Sequence, residues 1–424
     1  MADGQAGTKE AGQAVVFLRA LIAAQRDGEA AVQALVAGGF AAAGCTVDRL
    51  RYRPAEVPLR EEFAGEGAIA TEEREAVIAR LAGTGGGRSL ILFAHPDGEA
   101  FQPQHGWRHD PFAGTVADGR LHGWGVADDL AGVAMMVEGV RRAAAGGPLR
   151  GDVILASTPS KRHARGVHAA MHHGHRADAA VYLHPAESGV GMREVKALAS
   201  GQLIFRIRVE GRQPEASEPG HGAFAHTAVN PIERMLPLAA ALRALDARRG
   251  ERVRHPALQA AIGRSTNLLL SRIEGGGKPG RVPLDCTLTA ALSFPPGERL
   301  TAVQAEVEAA VAEAVAADPW LRQHPPRIEW LSGVTGAEVP QGHPLWIETA
   351  RAVEAATGAP PQVNPLHTAS DIRNPMVQHG IPCVGLGPLC GDLTQNGSRD
   401  EWVDVADYAR AVDVVAQLIR GWCA

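Results

Sequence analysis

Three short apolar runs, each stopped by a polar turn, constrain this chain more than any other feature. They are "SLILFAHPDG" from residue 89, "DVILAST" from 152 and "AAVYLHP" from 179. Each is long enough for one buried strand and too short for a self-sufficient helix. The stretches between them read as helices. "DDLAGVAMMVEGVRRAA" opens on Asp, as a capped helix does, and is closed by Gly146-Gly147-Pro148. Apolar strands alternating with helices predict an α/β fold, a mainly parallel sheet covered on both faces. Ligands of such sheets meet the C-terminal ends of the strands. His95-Pro96-Asp97, at the first strand end, is therefore the first candidate: an imidazole able to hold a metal and a carboxylate able to orient it, or else, and on these three residues alone preferably, a turn with incidental polar residues.

The pattern changes near residue 200. "QLIFRIRVEGR" and "CTLTAALSF" alternate as half-exposed strands do, with "NPIERMLPLAAALRAL" between them and "LTAVQAEVEAAVAEAVAA" after them, both helical. This predicts an inserted α+β domain over 200–315, of ordinary domain size. The catalytic domain then has two segments, 1–199 and 316–424, the second carrying "IPCVGLGP" as a buried strand and a closing helix. The 42 basic against 47 acidic residues, with no basic stripe, argue against nucleic acid as a partner. No apolar run approaches the roughly 20 residues of a membrane helix. The start, "MADGQAGTKEAG", lacks the marks of an export signal, and the five scattered cysteines form no Cys-Xaa-Xaa-Cys pair. A reduced, cytoplasmic protein is the expectation.

Asp128 sits where a loop enters a helix, as a cap or as a metal carboxylate. Gly123 and Gly125 before it fail the spacing of a dinucleotide loop. "HARGVHAAMHHGHR" holds His163, His168, His172, His173 and His175, and His168 and His172 have the spacing of helical zinc ligands. No Glu stands between them to act as base, so a solvated histidine-rich face is expected.

Residues 95–132 closely resemble the co-catalytic zinc metallopeptidases that include acetylornithine deacetylase, succinyl-diaminopimelate desuccinylase, aminoacylase and glutamate carboxypeptidase. The matching residues are His95, Asp97, Trp107, Asp110-Pro111-Phe112, Asp118-Gly119 and Gly123 to Asp128. "PGHGAFAHTAVNPI", "TASDIRNPMVQHGIP", "GLGP" and "SRDEWVDVADY" continue the likeness to the C-terminus. The resemblance implies a hydrolase-like catalytic domain with an inserted lid, dimerisation through that lid, and a site for two metal ions. One ion takes the first His, a bridging Asp and a later acidic residue. The other takes the bridging Asp, a Glu and a C-terminal His, and a neighbouring Glu is the general base.

Carried over residue by residue, half of that site is present. His95 and Asp128 stand in place, and His184 replaces the acidic ligand of the first ion. The Glu-Glu pair should fall at Ser160-Lys161, yet no acidic residue occurs from 153 to 177. The C-terminal His should fall near Gly397, and no His follows His379. One divalent metal, zinc the expected one, is therefore anticipated on His95, Asp128 and His184, with the second site lost. Lys161 near Asp128 would supply the missing positive charge, or would point to solvent if the site had merely decayed.

The candidate catalytic residues are then His221, Lys161, Ser160 and Asp97. His221 stabilises an oxyanion from the lid of a second subunit in the family pattern, and Arg373, with Gly387, binds a substrate carboxylate. Ser293 replaces the Arg that ends the family's lid strand. The preferred expectation is a one-metal enzyme acting on an amide-like or other C–N bond of a small carboxylate-bearing substrate. Without the Glu base, hydrolysis would be slowed by about 10²–10⁴-fold, which leaves cyclisation, acyl transfer or isomerisation open. The alternatives are an inactive ligand-binding relative, and a two-metal hydrolase rebuilt with His163 or His367.

Overall fold

The computed structural model describes residues 2–65, 68–98, 101, 106–366, 370–391 and 400–424, with backbone alone for 2–11 and for Arg162. One six-stranded sheet runs Thr46–Tyr52, Arg74–Leu81, Val153–Ser157, Leu90–Ala94, Ala179–Leu183, Cys383–Leu386. The last four strands are parallel to one another, and the first two add an antiparallel edge. The apolar runs are unbroken because both faces are covered. Leu90, Leu92 and Ala94 meet one core with helices Ala131–Ala145 and Val405–Trp422, while Ile91 and Phe93 meet the other with helix Gly166–His172. Truncating such a residue, Leu92→Ala for instance, would cost about 2–5 kcal/mol. The N-terminal stretch forms two helices, Ala2–Ala24 and Glu29–Ala42, parted at Gly28, whose φ of +90° suits glycine.

A second sheet is wholly antiparallel, in the order Asn267–Gly275, Asp285–Phe294, Gly201–Glu210, Arg327–Val334, Glu62–Ala64. Leu203, Phe205, Ile207 and Val209 alternate toward helices Pro231–Arg252 and Leu300–Ala317, and the other face is open. This sheet is wider than the 200–315 segment expected to hold it. "RIEWLSGV", which follows a helix and falls within 316–424, pairs here, and so does the three-residue strand at Glu62. Strand pairing is decided by neighbours in space, and neither run carries a mark of which sheet it joins. All five cysteines are free and buried. No described helix is long and apolar enough to cross a membrane.

Candidate metal centre and substrate cleft

Adjacent parallel strands deliver their C-terminal residues to one place. His95 follows the strand ending at Ala94, His184 the one ending at Leu183, and Ser160-Lys161 the one ending at Ser157. His95 Nε2 lies 3.0 Å from Asp128 Oδ1 and His184 Nε2 lies 3.4 Å from the same oxygen. His95, Asp128 and His184, all buried, offer ligand atoms within 4.8 Å of one another. Among the described residues they are the only group of three or more able to hold a metal ion. His95 Nδ1 is 2.8 Å from the Asp97 carbonyl and His184 Nδ1 is 3.2 Å from that of Pro185. Donating Nδ1–H to a carbonyl leaves each Nε2 lone pair turned toward Asp128, the tautomer a metal requires. Two imidazoles and a carboxylate suit a zinc-type ion with an open position. The expected ligands fit.

Charge in this nest is strongly coupled. Burial raises and the imidazoles lower the Asp128 carboxyl; aided by Lys161 the imidazoles prevail, leaving it well below the carboxylate range. Burial alone would depress His95, but its bonds to Asp128 and Asp97 lift it well above an ordinary imidazole. His184 stays lowered by burial. Asp128 is not a helix cap: the helix begins at Ala131, and no side chain caps it. Glu401 instead accepts the N–H groups of Gly125, Ala127 and Asp128 at 3.0, 2.7 and 3.2 Å, fixing the turn that presents the carboxylate.

Lys161 points inward. Its Nζ stands 2.5 Å from Asp128 Oδ2, the oxygen turned away from the imidazoles. Asp97 sets its direction by accepting the backbone N–H of Ser160 and of Lys161, each at 2.9 Å, while Arg74 braces the same carboxylate at 3.2 Å. Asp97 thus ties the His95 strand end to the Lys161 turn. The strand end at His184 is clamped from three sides. A Cβ on Gly132 would lie 1.9 Å from the Leu183 oxygen, and one on Gly387 would lie 2.4 Å from the His184 oxygen. From behind, the buried Lys196 donates to the His184 and Pro185 carbonyls and pairs with the buried Glu194. Gly387 therefore serves close packing behind His184 and is not among the described residues that wall the cleft.

The cleft, about 420 Å³, opens between the central sheet and the lid sheet and is walled by Glu62, Ser160, Lys161, Arg165, Asp371 and Arg373 among others. Arg373 is held by Glu62, and its buried Nε has no hydrogen-bond partner among the described residues. Ser160 Oγ donates to Asp371 Oδ2 at 2.5 Å. His221 lies exposed on the lid, its Nδ1 accepting from the N–H of Ala223, and does not line this cleft. The histidine-rich face is not solvated throughout. His168 is buried, 2.8 Å from His379 and 2.6 Å from the Pro58 carbonyl, because its helix turns that side against the core. His172 and His173 are exposed, and His163 lines the cleft without joining a metal cluster. His367 and Gly397 lie outside the described residues. Sequence reasoning missed Glu62, Arg165, Lys196 and Glu194, none of which stands in a pattern. Asp371 lay within the quoted segment of Arg373 and could have been found there.

The profile of peptidase family M20/M25/M40 matches residues 91–421, well over half of the chain. The chain belongs to that family. It is 26% identical over 370 residues to the N-formyl-4-amino-5-aminomethyl-2-methylpyrimidine deformylase of Halalkalibacterium halodurans, covering 82% of each. With the acetylornithine deacetylase of Erwinia tasmaniensis the M20 chain shares 28% over 358 residues, covering 83% of itself and 85% of the relative. Its fold matches the M20 family metallo-carboxypeptidase Sso-CP2 of Sulfolobus solfataricus with a TM-score of 0.68 at 13% identity, over 97% of this chain and 98% of the other. The α/β catalytic domain with a lid, expected from the sequence, is that of this M20 fold.

Proposed function

We propose that this M20 chain is a deacylase-like amidohydrolase that works with one divalent ion, zinc the expected one, on a small substrate bearing a carboxylate. The deformylase and deacetylase relatives support the reaction class. The observation that carries the one-ion reading is the 2.5 Å contact between Lys161 Nζ and Asp128 Oδ2. One oxygen of Asp128 faces the two imidazoles and the other faces a fixed ammonium group. A second cation at Oδ2 would have to displace Lys161 against like-charge repulsion.

A zinc-type ion held by His95, Asp128 and His184 supplies Lewis-acid polarisation and a water of lowered pKa. The chain's own groups do the rest. Arg373 takes the substrate carboxylate in a two-pronged bond, as guanidinium does best. Lys161, beside Asp128, offers N–H donors to negative charge that develops on the scissile carbonyl. Asp371 is the base in this reading: with Glu62 engaged by Arg373, it is the other carboxylate of the wall, and it reaches the vacated Glu position through Ser160 Oγ. His221 is assigned the oxyanion contact only where a second copy's lid covers the cleft.

The test is metal content per chain after zinc reconstitution, for wild type and His184→Ala, beside amine release from a panel of N-formyl and N-acetyl amino acids. One ion per chain, lost in the variant, with release from part of the panel, is expected. Two ions bound with Lys161 in place, or none at all, would overturn the one-ion reading.

A further inference from the structure

Among the described residues, Arg165 is the one lysine or arginine on the cleft wall with no carboxylate in ion-pair contact. Lys161 faces Asp128, and Arg373 is held by Glu62. Asp371 takes its hydrogen bonds from Ser160 and Asn374 and makes no ion pair with Arg165. Arg165 is only 9% exposed, yet its sole hydrogen bond to a described residue runs from Nε to the Pro54 carbonyl at 3.3 Å. The two terminal nitrogens, four N–H donors, are left without a described partner.

The position is built, not incidental. Arg165 adopts a φ of +71°, a conformation that a residue with a Cβ takes only when its surroundings enforce it. Tyr52 Oη holds the preceding carbonyl, of Ala164, at 2.6 Å. Burial depresses the guanidinium pKa, and Arg373 nearby adds to this against the pull of Glu62. The residue is mostly buried while its terminal nitrogens remain open toward the cleft, so an anion arriving there gains a charge-assisted pair that no described carboxylate supplies.

We infer that the cleft takes a dicarboxylate, one carboxylate on Arg373 and the second on Arg165. This rests on the deacylase reading only for the placing of the first carboxylate on Arg373. The Arg165 subsite separates substrates by their charge at a distance from the scissile bond. An acyl or amine portion ending in a carboxylate is accepted, and its neutral analogue leaves Arg165 buried and unpaired, which is the stronger form of discrimination.

The experiment is calorimetric titration of the full-length, metal-loaded protein with succinate, glutarate and adipate, each against its half-amide. At least one diacid should bind ten-fold or more tightly than its half-amide. Arg165→Met should reduce that preference below two-fold and leave half-amide binding in place, whereas Arg373→Met should weaken both ligands. Arg165→Lys, which keeps the charge on a shorter arm, should retain part of the preference, and it decides the matter if the Met variant does not fold. The inference is overturned if no diacid is preferred by wild type, or if the folded Arg165→Met protein keeps the preference. Failure of the deacylase reading looks different: no amine release from any N-acyl substrate, with the diacid preference intact.

Discussion

Lys196→Met removes a buried charge from directly behind a metal ligand while keeping the length of the side chain. Lys196 is fully buried and Glu194 is 1% exposed. The ammonium group lies 2.6 Å from the Pro185 carbonyl, 3.1 Å from that of His184 and 3.2 Å from Glu194 Oε1. The variant leaves Glu194 as a buried anion without its cation, and breaking such a pair from one side costs about 3–5 kcal/mol. The Glu194 pKa points the same way: burial would raise it, but the charge of Lys196, together with hydrogen bonds from Ser188 and Asn364 that the variant keeps, pulls it down to about 2 from an ordinary 4.5.

Unfolding entropy of about 2.1 cal/mol/K per residue makes 1 kcal/mol equal to roughly 1 °C for a chain of this length. Scanning calorimetry at pH 7 should therefore show Tm lower by about 3–5 °C, and by more if the central sheet unfolds apart from the lid. The pH sign follows from a depressed acid. Glu194 stabilises the fold in full above about 4.5, and that contribution is lost as pH falls toward about 2, so the gap between variant and wild type narrows over this window. Glu194→Gln/Lys196→Met should cost less than the two single changes added together. A zinc affinity lower by about 10–100-fold should accompany the single variant, because the backbone of His184 loses its brace. A Tm within 1 °C of wild type at pH 7 would refute the reasoning.

Asp371→Asn keeps size and removes the proton acceptor. It should lower kcat by about 10²-fold or more with metal content unchanged, and steady-state kinetics showing a loss confined to KM would make Asp371 a binding group instead. Gly387→Ala places a methyl group 2.4 Å from the His184 oxygen. It should abolish stoichiometric zinc binding, and a variant that retains one ion per chain would contradict the packing role. His379 is pulled down to about 4 by burial and by the neighbouring His168 and Arg176. Its neutral form stabilises the fold above an unfolded pKa near 6.5, and this is lost as pH falls toward 4. Urea midpoints should fall more steeply across that range for wild type than for His379→Gln.

The central sheet was legible because its strands are buried on both faces, so "SLILFA" and "AAVYL" had to be apolar without interruption. His95 was legible as a polar residue at a strand end, whereas Asp128 and His184 entered as metal ligands only through the resemblance to the zinc metallopeptidases; adjacent strand ends explain why His95 and His184 meet. The inward turn of Lys161 was not legible, because a lysine in a polar loop carries no mark of direction. That direction comes from two N–H bonds to Asp97, some sixty residues away. The helix face bearing His168 was misread for the same kind of reason, since polarity alone does not say that Pro58 and His379 wait opposite. The edge strand at Glu62 was out of reach, three residues long and paired with a strand some 270 positions later.

That short strand has a mechanical consequence. Arg60 is fastened to Gln378 on the flank of the central sheet by bonds of 2.8 and 3.0 Å. Glu61, the next residue, bonds to Arg299, Leu300 and Thr335 of the lid side. The chain changes allegiance between two consecutive residues, at a φ of +50° on Glu61. A lid that turned as a body would draw Glu62 with it and leave Arg373 behind on its turn beside the central sheet. The ion pair between them would then act as a latch: such a turn would part it and leave the Arg373 guanidinium open to the cleft, and the reverse turn would cover it again.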